Sequence, residues 1–330
     1  MAGLQLCRHD TPARGVPRYP SWMTDGAALP VPPSPVRGRG VGLLLVAASG
    51  LCFGMLPIFN RQAAALGLGV PTFLAVRFLV AGGVLWAWLA LRGPRPRLRG
   101  GQVAGFAGMG LLYVVESGLY FASSRRIPVA LTALLLYLYP VLVALWEWLA
   151  GRHRLEGRDR VALVASLLGT ALAVGSPGRG TDALGLAMGL ATAFGYTAYM
   201  LLGARLQKGV PALVASAWIM GTAGLMYLLL ALATHRWEPA LALKAWRPLL
   251  GLAVVGTLLP IPMLLAGMAR IGPARASVVS TLEPLGACLF GALFLGELLR
   301  PWQWLGAALI LGAVVLLSAE RTPEEPLAER

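Results

Sequence analysis

A chain of 330 residues with 57% hydrophobic and 13% charged residues cannot cover a water-soluble surface, for which about a quarter charged residues is usual. Its mean hydropathy of +0.71 says the same, and apolar runs of about twenty residues match a hydrocarbon layer roughly 30 Å thick. The net charge of +14 would suggest nucleic acid in a soluble protein. Here the arginines sit between apolar runs, as membrane topology places them, so nucleic-acid binding is set aside.

Residues 1–40 are rich in Pro and Arg and contain no apolar run, a composition expected to remain disordered. Ten apolar spans are then predicted, at 41–59, 72–91, 103–121, 128–149, 160–176, 183–204, 212–234, 248–269, 274–296 and 302–318. A short tail, 319–330, follows them. The breaks carry turn signals, among them Arg92–Gly93–Pro94 and Gly272–Pro273. With the amino terminus cytoplasmic, nineteen of the 28 Lys and Arg residues fall in the tails and inside loops and eight in outside loops, Arg61 among the eight. Arg77 stays within a span. The bias predicts a multi-pass protein of the cell membrane with both termini cytoplasmic.

Cys7, Cys52 and Cys288, with His9, His153 and His235, show no disulfide framework or metal-ligand spacing, so neither a metal nor a cofactor is expected. A repeat is visible instead. Gly69–Val70–Pro71 answers Gly209–Val210–Pro211, Cys52–Phe53–Gly54 answers Ala193–Phe194–Gly195, and Tyr139–Pro140 answers Glu283–Pro284, at spacings of about 140 residues. Because a five-span unit is odd, two tandem copies (41–176 and 183–318) must lie upside down to one another. Inverted repeats of this kind serve carriers, giving inward-open and outward-open states of similar energy.

The motifs also resemble a known family. From Gly272 the chain reads GPARASVVSTLEPLGACLFGALFLGELLRPWQWLGAALILGAVVLLS. This is similar to the second-copy signature of the EamA-type drug/metabolite transporters, with Leu-Glu-Pro in the ninth span and Gly-Glu at its end. Pro128 to Val174 resembles the first copy, with His153 where the family usually has the Glu matched by Glu297. Arg77–Phe78 is also typical. The resemblance implies an all-α bundle of ten transmembrane helices around a central cavity, moving small organic solutes, often outward.

Charges within spans are costly and tend to face a cavity or a partner. Tyr113, Glu116 and Tyr120 share one helical face. A carboxylate flanked by phenols suits an amine or cation, although a structural hydrogen bond to a neighbouring helix explains Glu116 equally well. Tyr139 and Trp146 complete the expected substrate-binding set. Pro140 and Pro284 are expected to kink the fourth and ninth helices at matched places. Glu283, with those prolines and Arg77, is assigned to coupling or gating, with protons as a candidate coupling ion. Arg77 is expected to pair with an acid such as Glu116 or Glu147, or to snorkel towards an interface. The leading expectation is a secondary carrier, most simply an exporter, of an amino acid, amine or amphiphilic drug. Its partners are the small solute and the bilayer, and its state is monomer or homodimer. An integral membrane enzyme and a non-transporting scaffold are the alternatives.

Overall fold

The computed structural model describes residues 37–94, 98–124, 126–127, 129–151, 156–174, 182–295 and 300–318. Residues 1–36 and 319–330, His153 and Glu297 lie outside the described residues, whereas 37–40, which the sequence assigned to the disordered tail, form the first turn of a helix. Among those described, regular structure is helical throughout. In chain order it comprises α1 (Arg37–Gly54), α2 (Leu56–Ala65), α3 (Val70–Leu91), α4 (Gly100–Ser124), α5 (Val129–Leu136), α6 (Tyr139–Leu149), α7 (Gly157–Val174) and α8 (Ala183–Leu206). Then follow α9 (Ala212–Ala233), α10 (Pro239–Lys244), α11 (Trp246–Ala253), a π turn (Val254–Leu258), α12 (Pro260–Ile271), α13 (Pro273–Val279), α14 (Leu282–Leu295) and α15 (Pro301–Ser318).

Among the described residues, eight segments are long and apolar enough to cross a membrane: Gly38–Ala65, Val70–Leu91, Gly100–Ser124, Thr132–Leu149, Ala183–Leu206, Ala212–Ala233, Trp246–Ile271 and Pro273–Phe294. A shorter apolar helix covers Pro301–Leu316. The helix α7 is not among the eight, because Arg158, Asp159 and Arg160 occupy its first turn.

Prolines set the breaks inside these segments. Proline has no N–H and crowds the carbonyl four residues before it, so a helix opens just upstream. Pro140 thus divides α5 from α6 at Tyr137–Leu138, and Pro284 divides α13 from α14 at Ser280–Thr281. Two further breaks escaped the sequence reading. Pro57 separates α1 from α2 at Met55, and Pro260 ends the π turn. The first apolar segment therefore runs past residue 59 to Ala65, which places Arg61 on α2 rather than in a loop.

Helices in lipid gain little from hydrophobic exclusion, so close backbone approach through small residues matters more. Where α3 crosses α9, a Cβ on Gly82 would lie 3.1 Å from Gly221 N, and one on Gly224 would lie 2.9 Å from Leu79 N. Where α1 crosses α14, a Cβ on Gly54 would meet Ala287 N, Glu283 O and Gly286 C, all at 2.8 Å. The helix contacts come in matched pairs. The helix α4 packs along α8 as α1 packs along α12. Similarly, α8 lies against α5 and α6, while α1 lies against α13 and α14. The pairs α3–α9 and α7–α15 match themselves. The Gly-Val-Pro motifs differ locally: Gly69 is extended (φ −71°) before a helix starting at Val70, whereas Gly209 is left-handed (φ 74°) and Pro211 precedes Ala212.

Short hydrogen bonds tie the connections together. Gly69 N donates to Glu238 Oε2 (2.9 Å) and Thr72 Oγ1 donates to Arg236 O (2.5 Å), clasping the α2–α3 turn to the α9–α10 turn. Asp182 caps α8, accepting from Leu184 N at 3.3 Å. The Arg126 side chain bonds the same carboxylate at 2.8 Å and holds it below the usual range.

Candidate functional site

The site begins with a guanidinium that has left water. Arg77 lies in the middle of α3 and is 5% exposed. Its Nε donates to Thr257 Oγ1 at 2.5 Å and its Nη2 to Gly256 O at 2.8 Å. The local sequence explains why those acceptors are free. Gly256 stands four residues before Pro260, which has no N–H to offer its carbonyl. The π turn lengthens the hydrogen-bond step, and the Thr257 hydroxyl donates back to Leu252 O at 3.1 Å, leaving lone-pair capacity for Arg77. Phe78 contributes its ring face, with the guanidinium carbon 4.8 Å from its centroid. Arg77 therefore neither snorkels nor forms an ion pair with Glu116 or Glu147. It is spent instead on the neutral acceptors of a broken helix. Glu147 sits half-buried near the end of α6, away from this contact.

Glu116 on α4 is 6% exposed. Its backbone is seated on α8 at Gly195, where an added Cβ would come 3.3 Å from Glu116 Cβ. Glu283, in the first turn of α14, is half-buried and hydrogen-bonded by Tyr137. Glu116, Glu283 and Arg77 lie within electrostatic range of one another. One guanidinium and two carboxylates thus share an interior built from both matched stretches.

Aromatic rings surround these charges. Tyr113 approaches Phe78 at 5.2 Å and Tyr199 at 5.8 Å, both edge-on, and hydrogen-bonds Arg77. Tyr199 stacks on Tyr196 at 5.8 Å, and Tyr196 meets Tyr139 edge-on at 4.6 Å. Tyr139 lies 6.5 Å from Tyr137 and donates to Ser277 O at 3.3 Å. Tyr227 on α9 stacks over Phe78 at 6.0 Å and shares a short hydrogen bond with Ser117. Tyr120 lies within electrostatic range of both carboxylates, although its ring contact is with Phe121 at 5.8 Å.

The structure therefore brings together Arg77, Tyr113, Glu116, Tyr120, Tyr139 and Glu283, with Pro140 and Pro284 buried at the adjoining breaks. Trp146 is not brought in; it is 48% exposed on an outer face of α6. The sequence reading missed Tyr137, Tyr196, Tyr199, Tyr227, Ser117 and Thr257. A signal was present. Seven of the eight tyrosines lie between residues 113 and 227, within or beside apolar spans rather than at the interfaces where tyrosine usually gathers.

A closely packed, wholly helical set of apolar segments around buried charges defines a multi-pass membrane protein. The EamA-like transporter family model matches residues 40–175 and 183–319, and the chain belongs to that family. It is similar to an uncharacterized inner membrane transporter, YicL, of Salmonella typhimurium, 32% identical over 194 residues. That match covers 58% of this chain and 64% of the relative, just under two thirds of its length. The uncharacterized transporter YcbK of Bacillus subtilis is 26% identical over 83% of this chain and 91% of its own. The uncharacterized inner membrane transporter YedA of Escherichia coli K12 is 26% identical over 82% and 90%. A solved structure titled only as a crystal structure of a protein matches with a TM-score of 0.72 at 21% identity, covering 85% of this chain and 97% of the other, a likeness of fold.

Proposed function

We propose that the chain is a secondary carrier that exports a small organic solute bearing an amine, such as an amino acid, a simple amine or an amphiphilic drug. The observation that carries this reading is the charge balance of the buried centre. Two carboxylates, Glu116 and Glu283, face one guanidinium, Arg77, whose hydrogen bonds already go to Thr257, Gly256 and Tyr113. With both acids ionised, the complement is one positive charge. The phenol faces of Tyr113, Tyr120, Tyr139, Tyr196 and Tyr199 suit an ammonium by cation–π attraction.

In this reading α7 and α15 complete ten spans, and the two matched stretches are inverted halves. The two family matches and the matched helix contacts support that arrangement. Alternating access then rocks one half against the other around the centre. Glu116 with the tyrosines binds solute; Glu283 couples or gates, beside breaks at Pro140 and Pro284 that supply the joints.

The test is a thermal-shift screen of detergent-purified protein against amino acids, nucleobases, sugars and cationic amphiphiles, since a ligand of the folded state raises its apparent stability. A rise confined to amine-bearing compounds, and lost in Glu116→Gln, is expected. A rise from sugars or nucleobases that survives Glu116→Gln would sink the amine assignment. Coupling is read separately: uptake into vesicles by Glu283→Gln is expected to lose its dependence on a pH gradient, and an unchanged dependence removes Glu283 from that role.

A further inference from the structure

Away from the charged centre, α3, Pro94, Leu98, α4 and α9 line a groove of about 400 Å³ that is open on one side. This is within the size range of small-ligand pockets. Trp86 and Trp218 meet edge to face at 5.1 Å, and Leu89, Pro94, Leu98 and Val103 extend the apolar wall. Tryptophans of an interfacial belt ordinarily serve as anchors near the headgroups. Trp86 is instead turned over α9, where its Nε1 would lie 3.0 Å from a Cβ added to Gly221.

The rim of the groove is strongly basic. Arg92 and Arg99 are exposed and flank the lining residues in the chain, Arg92 two residues before Pro94 and Arg99 directly after Leu98. Arg205 and Lys208 stand at the neighbouring α8–α9 connection. No acid offsets them in either wall: the sequence holds no Asp or Glu between Arg61 and Val115, nor between Ala183 and Trp237. An apolar slot at the end of α3, beside cations whose own wall segments hold no acid, suits one ligand chemistry, an acyl chain joined to an anionic phosphate.

We infer that this groove binds an anionic glycerophospholipid, with one acyl chain over the Trp86–Trp218 floor and the phosphate between Arg92 and Arg99. Bulk lipid of any headgroup would fill an apolar slot; the arginine rim selects for charge. The assignment is independent of the solute carried at the centre.

The full chain, purified in neutral detergent, is titrated with phosphatidylglycerol and with phosphatidylcholine of the same acyl chains, and its melting temperature is followed. A saturable rise with phosphatidylglycerol, much larger than with phosphatidylcholine, is expected. The double variant Arg92→Gln/Arg99→Gln is expected to keep its lipid-free melting temperature and lose that rise. Val103→Trp, which fills the groove without altering charge, is expected to lose it as well. Equal rises with the two lipids, or a phosphatidylglycerol rise that survives either variant, would overturn the proposal. A full rise with glycerol 3-phosphate alone would also overturn it, by assigning a free-phosphate site. Should Val103→Trp fail to fold, native mass spectrometry of the unaltered chain and the arginine variant decides: adducts kept by the first and lost by the second support the site, and equal retention refutes it.

Discussion

Arg77 illustrates how a side chain named by the sequence takes a role that the sequence did not name. Its carrier-like position suggested an ion pair, but its hydrogen bonds go to acceptors released by Pro260 and the π turn, 179 and 180 residues away. Thr257→Val removes one acceptor and leaves a buried charged donor short of a partner, which costs about 1–3 kcal/mol. A matching fall in unfolding free energy for Thr257→Val, largely recovered by Thr257→Ser, is expected from chemical denaturation; an unchanged stability for Thr257→Val would refute that account. At Glu116, the proposed contact with a solute ammonium is a charge-assisted one worth about 1.5–3 kcal/mol. Glu116→Gln is therefore expected to weaken amine binding by roughly 10- to 150-fold in a calorimetric titration. Gly195→Ala keeps the charge but presses a methyl against Glu116 Cβ. A smaller loss of affinity is expected there, and no loss would place the solute elsewhere.

At the scale of the element, the prolines and glycines do most of the positioning. The matched breaks before Pro140 and Pro284 were legible because proline acts on its own helix, through its own missing N–H. The ring cluster was less legible. Tyr139, Tyr196, Tyr199 and Tyr227 come from α6, α8 and α9, and no periodicity within one helix states which neighbour it will meet. The Gly54 crossing fixes the base of α14 beside Glu283. Gly54→Ala is expected to cost about 1–3 kcal/mol by overpacking and to disturb Glu283, which a melting curve and the pH dependence of uptake would register together. The cap on α8 has its own pH signature. Because Arg126 holds the Asp182 carboxyl below its usual range, its stabilising contribution is present above the unfolded value of about 3.9 and is lost as pH falls through the lower folded value. The stability difference between the unaltered chain and Asp182→Asn should therefore hold steady above about pH 4 and shrink as pH falls below it.

For the whole molecule, hydropathy and the repeat disclosed a multi-pass protein of this family, because bilayer thickness imposes span length on any sequence. They did not disclose that α7 has its first turn charged, nor that its chief companion is α15. The proposed topology is tested by placing single cysteines at Gly100 and Lys244, at the start of α4 and the end of α10, in a chain cleared of its native cysteines. An impermeant thiol reagent is expected to label position 244 in intact cells and position 100 only after permeabilisation; the reverse would invert the orientation.

The α7–α15 pairing also sets a timetable for synthesis. Gly169 of α7 is shaped to receive the backbone of Gly306 and the side chain of Ile310, yet those residues leave the ribosome some 140 codons later. At ordinary elongation rates α7, the least lipid-like of the long helices, waits roughly ten seconds for its neighbour. A nascent chain halted before Pro301 would present that bare face to the membrane's quality-control proteases, and pulse-chase should find it shorter-lived than the finished protein.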